Sequence, residues 1–141
     1  VERYNLSDMV EVLPYGTHQE SIQLVMSSDA LLLDFLASVD GRANLASTSS
    51  RIFEYLASGK PILGLVYASG AAAEIIKATN SGVVADPENT EEVAQTIHTL
   101  LLQHKAGTLG VDGQHDLERF TRKNLTGSLA QMLDGATIGY V

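Results

Sequence analysis

The 141-residue chain contains no cysteine, so it can build neither a disulfide framework nor a thiolate metal site, and that absence fits a reducing compartment. No apolar run approaches the roughly 18 residues that a membrane span requires, and no basic-then-apolar segment opens the sequence. The expectation is a soluble, cytoplasmic protein. Basic residues are scarce too: 9 Lys and Arg against 17 Asp and Glu give a net charge of -8. That balance argues against a nucleic-acid binder, whose affinity rests on clustered cations. The four histidines, His18, His98, His104 and His115, show no metal-ligand spacing, so no metal site is expected. There is no G-x-S-x-G elbow, no Walker loop and no G-x-G-x-x-G fingerprint, which removes support for acyl transfer, P-loop chemistry and ordinary dinucleotide binding. The sequons Asn5-Leu6-Ser7 and Asn124-Leu125-Thr126 mean little without a secretory signal. The first residue is Val1 rather than Met, the mark expected of a fragment or processed chain.

What is present is enough for one domain with a core, since 45% of residues are hydrophobic. Runs of strand and helix character alternate. "VEVLPY" (10–15) reads as a strand, and "THQESIQLVMSS" after it as a helix opened by a Thr17/Glu20 capping box, with Ile22, Val25 and Met26 at helical intervals. "DALLLDF" (29–35) has the continuous apolar character of a strand covered on both faces. A helix from about Arg51 to Ser58 stops at Gly59, with Pro61 just beyond, and "PILGLV" follows as a buried strand. "GAAAEIIKATNSG" reads as a helix ending near Gly82, and "GVVAD" as a fourth strand. Asn89 and Glu92 repeat the N-cap signature before Val93, Ile97, Leu100 and Leu101, and the sequence closes on helix from about Leu117. This alternation predicts an α/β, doubly wound, mostly parallel sheet with helices on both faces. In such sheets ligands sit outside the carboxyl ends of the strands, so the loops after Leu13, Leu33, Val66 and Val84 are the ones to search.

One loop stands out. Residues 37–50 are too many for an ordinary connection, usually about two to six residues, and they end in "STSS" directly before Arg51. A helix start there offers free backbone N–H groups and a positive dipole end, with Arg51 adding a full charge, which suits a phosphate or pyrophosphate. The plainer reading is that Ser49 or Ser50 caps the helix while Arg51 is solvated. Glu54 has two readings as well. It can pair with Arg51 at i−3 on the surface, or it can accept hydrogen bonds from a vicinal diol such as ribose. Spacing alone favours the ion pair.

The block "RIFEYLASGKPILGLV" followed by "GAAAEIIKATNSGVVADPENTEEVAQTI" resembles the C-terminal domain of GT-B glycosyltransferases of the large retaining group called family 4. There the corresponding stretch reads like "K-l-F-E-Y-L-A-s-G-k-P-V". The upstream "VEVLPYGTHQESIQLVMSSDALLL" is similar to the same domain, and the likeness covers roughly residues 8–132. It implies a Rossmann-like half of a GT-B fold, binding the nucleotide-sugar donor, while a separate N-terminal domain holds the acceptor across a cleft. The implied reaction moves a sugar from a nucleoside diphosphate, UDP- or GDP-linked, to a hydroxyl of a glycan, lipid or small molecule, with retention, without metal and without a further cofactor. Glu54 matches the glutamate that grips the ribose hydroxyls; Ser49, Ser50 and Arg51 match the helix start facing the diphosphate; Pro14, Tyr15 and Gly16 match the loop lining the base. The surrounding motif thereby reverses the preference between the two readings of Glu54.

Two departures accompany the likeness. Eight residues before Glu54, where the family carries its first glutamate, stands Ala46. A complete donor domain also begins with a further strand, helix and strand, the first bearing a basic pair. The resemblance therefore implies that residues 1–141 are one incomplete donor-binding unit of a larger two-domain enzyme, inactive alone. The full-length enzyme could associate peripherally with the inner face of a membrane. Two rivals remain: an inert nucleotide-binding or regulatory domain of the same fold, and a sugar-nucleotide 2-epimerase-like enzyme.

Overall fold

The computed structural model describes residues 2–34, 48–110 and 117–138. Helix α1 (His18–Ser27) opens on the expected capping box: the Thr17 hydroxyl accepts from the Glu20 N–H at 3.3 Å, and the Thr17 N–H donates to the Glu20 carboxylate at 2.6 Å. Strands β1 (Leu31–Asp34), β2 (Ile62–Leu65) and β3 (Gly82–Ala85) form a three-stranded parallel sheet in the order β1-β2-β3. Helix α2 (Arg51–Ser58) connects β1 to β2, and α3 (Ala71–Ala78) connects β2 to β3. Helix α4 (Thr90–Lys105) follows, then a 3-10 turn (Glu118–Phe120) and α5 (Arg122–Ile138). This is the α/β, Rossmann-like arrangement that the alternation predicts.

One expected strand is absent. Residues 10–15 carry no strand, and their side chains are exposed. A strand exists only as a ladder, because its N–H and C=O groups must be paired, and no described strand lies beside this segment. The apolar alternation is real, but pairing is not a local property.

Both crossovers turn the same way, which places α2 and α3 on one face of the sheet. That face presents Leu33, Ile62 and Val84, and it packs with Ile52 and Leu56 of α2 and with Ala72, Ala73 and Ile76 of α3. Leu33, Ile52, Ile62 and Ile76 are almost wholly buried. Each such side chain contributes about 1.5–3 kcal/mol over its exposed state. On the opposite face Leu32 and Leu63 share an apolar cleft with Ile97, Leu100 and Leu101 of α4. The sheet thus carries helices on both sides, but the second side is thinly covered, for Leu32 stays 51% exposed. The apolar face of α1 is likewise open, with none of its residues buried.

The helix stops follow local chemistry. Gly59 takes a left-handed φ of 68° and ends α2 as its sequence suggests. After α3 the left-handed residue is Asn80, at φ 48°, rather than a glycine at the expected stop near Gly82. Gly82 serves another purpose: a Cβ there would overlap the backbone carbonyl oxygen of Ile62 on the neighbouring strand. At Gly64 the one overlap a Cβ would make is with the Cδ1 end of Ile76, at 2.6 Å, the next atoms lying at 3.4 Å and beyond.

These two glycines should therefore respond differently to alanine. Gly82→Ala should cost about 3 kcal/mol in urea unfolding, because backbone must move, while Gly64→Ala should cost about 1 kcal/mol, because the Ile76 tip can rotate away. Equal costs at the two positions would show that strand approach is not what Gly82 provides.

Candidate functional site

Arg51 and Glu54 come together in one groove of about 310 Å³ between α1 and α2. Leu24 and Val25 of α1, with Ser28 just after it, line one side, Arg51, Glu54 and Tyr55 of α2 the other, and Leu31 lines it as well. Leu31 is the first residue of β1, and β1 is at the edge of the described sheet, so the groove flanks that edge strand. With Ser28 and the first residue of β1 in its lining, it reaches the amino end of that strand and departs from the rule that places ligands outside the carboxyl ends.

The orientation of the charged side chains follows from the helix. Ile52 and Leu56 are four residues apart and point into the core, Tyr55 packs half-buried beside them, and Arg51 and Glu54 remain exposed. Among the described residues neither charged group has a hydrogen-bond or ion-pair partner through its side chain. The surface pair that spacing favours is not formed.

The start of α2 is less open than its sequence suggests. The Arg51 N–H donates to the Ser49 hydroxyl at 3.3 Å, and the Ile52 and Phe53 N–H groups donate to the carbonyls of Ser49 and Ser50, each at 3.1 Å. Ser50 makes no side-chain cap. The amides expected to be free are thus used within the turn, and the guanidinium of Arg51 is the positive group left to meet a ligand. Thr48, just before, has a buried hydroxyl oxygen with no hydrogen-bond partner among the described residues. Ala46 and His115 lie outside the described residues.

Pro14, Tyr15 and Gly16 line a second, larger groove of about 710 Å³ along α1, with Leu13, Thr17 and Glu20. The two grooves share Ser21 and Leu24. Tyr15 is fully exposed, which leaves its ring face available for stacking. Gly16 sits where a Cβ would press on the Glu20 carboxylate at 3.0 Å, so the absence of a side chain keeps the capping box intact. The backbone N–H of Thr17, helped by its hydroxyl, holds the Glu20 carboxyl below its ordinary value.

Residues 1–117 match the family described as glycosyl transferases group 1. The chain belongs to that family. No curated protein and no solved structure matches it. As a glycosyltransferase domain it serves the transfer of a sugar from a donor to an acceptor. No helix among the described residues is long and apolar enough to cross a membrane, and no cluster of three His, Cys, Asp or Glu among them could hold a metal ion.

Sequence reasoning missed one contact of this glycosyltransferase. Beyond β2 the Tyr67 hydroxyl donates to the Glu88 carboxylate, beyond β3, at 2.7 Å. Glu88 is itself set by a turn, with its N–H donating to Asp86 Oδ1 at 3.0 Å. The bond joins two loops at the carboxyl edge of the sheet. Both loops were visible as places to search, but a tyrosine and a glutamate 21 residues apart carry no spacing signature.

The hydrogen bond to Glu88 raises the Tyr67 pKa above its ordinary value, with desolvation and the charges of Glu88 and Asp86 adding in the same direction. A raised value favours the protonated phenol, so the contact is fully present below the ordinary tyrosine range and is lost as pH rises through the shifted value. Ring resonances followed against pH should show Tyr67 ionising at higher pH in the unaltered chain than in Glu88→Gln. A Tyr67 titration left unchanged by Glu88→Gln would remove the contact.

Proposed function

We propose that this glycosyltransferase domain is the donor half of a retaining enzyme that takes a nucleoside diphosphate sugar, UDP- or GDP-linked, and passes the sugar to a hydroxyl held by a separate acceptor domain. In this reading residues 1–141 are one donor-binding unit of a larger two-domain enzyme, which acts in the cytoplasm or at the inner membrane face. The observation that carries the reading is that Arg51 and Glu54 line one groove, both exposed and both without side-chain partners among the described residues, beside the groove of Pro14, Tyr15 and Gly16.

The chemistry assigns each group a task. An ionised carboxylate is an acceptor with two oxygens, so Glu54 can take both hydroxyls of a ribose at once. The Arg51 guanidinium, three residues earlier on the same helix face, is placed for a diphosphate and can fork onto two of its oxygens. Departure of the nucleoside diphosphate leaves negative charge on it, and a fixed cation beside that charge lowers the barrier. Tyr15 offers a face for the base, and Pro14 and Gly16 let the chain pass close to it. Holding the nucleoside at two points fixes the anomeric carbon relative to the acceptor, which is most of what such a half-site contributes. The positive end of the α2 dipole still faces the diphosphate, although its amides are occupied.

Titration of the chain with UDP and GDP, followed by backbone resonances, tests this. One nucleotide should shift Tyr15, Arg51 and Glu54 at millimolar concentration or below. Glu54→Gln should weaken binding by about 10- to 100-fold, the value of a charge-assisted hydrogen bond, and Arg51→Ala should weaken UDP more than uridine. Absence of any shift at these residues would end the donor-site reading.

A further inference from the structure

Helix α2 is eight residues long, far below the 12–15 or so at which an isolated helix becomes even marginally stable, so its position is set by what touches it. Ile52 and Leu56 rest on the sheet along one line of the helix. Contact along that line, braced by half-buried Tyr55 on one flank only, lets a helix roll toward the other. A second contact off that line stops the roll, and Phe53, one residue and roughly 100° further round, supplies it.

Phe53 stands outside the core cluster. Its ring packs on Phe120, with centroids 5.6 Å apart and planes tilted by 53°, a favourable aromatic geometry. Phe120 is itself held. It packs with Leu117 against the core, and the Arg119 guanidinium lies 4.5 Å over its ring. The 3-10 turn that carries it is tied to α5 by the Asn124 amide, which donates to the Glu118 carbonyl at 2.7 Å. Phe53 is flanked in the chain by Ile52 and Glu54, and Arg51 is two residues away. Any roll of α2 would therefore swing both groove charges.

We propose that Phe120 is a positioning residue for the groove: by holding Phe53 it fixes the rotation of α2 and the direction of Arg51 and Glu54. Phe120 lies beyond residue 117, where the family match ends, and none of the site roles that the resemblance implies falls on it. The proposal rests on the donor-site reading of Arg51 and Glu54, and two readouts keep the two apart.

The experiment compares Phe120→Ala, Phe120→Tyr and Leu63→Ala with the unaltered 141-residue chain, by calorimetric titration with UDP and GDP and by amide exchange at Tyr55 and Leu56. Leu63 lies on the opposite face of the sheet, against α4, so its truncation destabilises the chain without touching α2. Phe120→Ala should weaken nucleotide binding about tenfold, as small misplacements of binding groups do, and should speed exchange in α2. Phe120→Tyr should behave like the unaltered chain, and Leu63→Ala should lose thermal stability while keeping its affinity. Unchanged affinity in Phe120→Ala, or an equal loss in Leu63→Ala, overturns the proposal. If the unaltered chain binds neither nucleotide, the donor-site reading falls and exchange decides positioning: α2 loosened only by Phe120→Ala upholds it, and α2 loosened equally by Leu63→Ala overturns it. Should Phe120→Ala fail to fold, Phe120→Leu, which keeps apolar bulk but loses the ring pair, carries the same comparison.

Discussion

Close approach of β2 and β3 is the constraint on which the remaining packing depends. Parallel strands lie about 4.8 Å apart, and here the Gly82 position faces the Ile62 backbone with no room for a side chain between them. Once that ladder forms, the open position at Gly64 receives the tip of Ile76, which seats α3 on the sheet. Same-handed crossovers then bring α2 to the same side, where Ile52 and Leu56 complete the cluster around Leu33 and Ile62. A small core thus gains its stability from a few fully buried aliphatic side chains, and every element on that face is placed by the one beside it.

The groove is a by-product of this order. Because α2 turns Ile52 and Leu56 inward, the 3.6-residue period directs Arg51 and Glu54 elsewhere, toward α1. Two opposite charges three residues apart could neutralise each other, yet they form no ion pair, and among the described residues neither side chain has another partner. The serines before the helix answer its first amides, which moves the burden of positive charge from the backbone to one guanidinium. At the other strands the loops are tied to each other by Tyr67 and Glu88, so the carboxyl edge is shaped by a long-range contact between side chains as well as by the strand ends.

The legibility of these features tracks how local their causes are. The bounds of α2, Arg51 to Ser58, could be read from its amphipathic spacing, its glycine stop and its following proline, all of which act within one or two turns. The Thr17 cap was legible for the same reason. The run at 10–15 has the composition of a strand and is not one, since a ladder requires a neighbour that composition cannot name. The periodicity of α1 and α4 gave their helical state, but whether Ile22 or Ile97 is covered depends on what the fold lays over them, and both stay about half exposed. Glu54 could be picked out as one end of a motif; that it forms no ion pair with Arg51 could not.

By itself the sequence determined the α/β class, most helix bounds and the family likeness, because periodicity, caps and motif residues act at short range along the chain. Tertiary structure decided which runs pair, that Arg51 and Glu54 share a wall with α1, that Tyr67 meets Glu88, and that Phe120 grips Phe53. Those facts join residues 20 to 67 positions apart. Their cause is the packing of helices on a sheet, where one neighbour's volume fixes the next one's place.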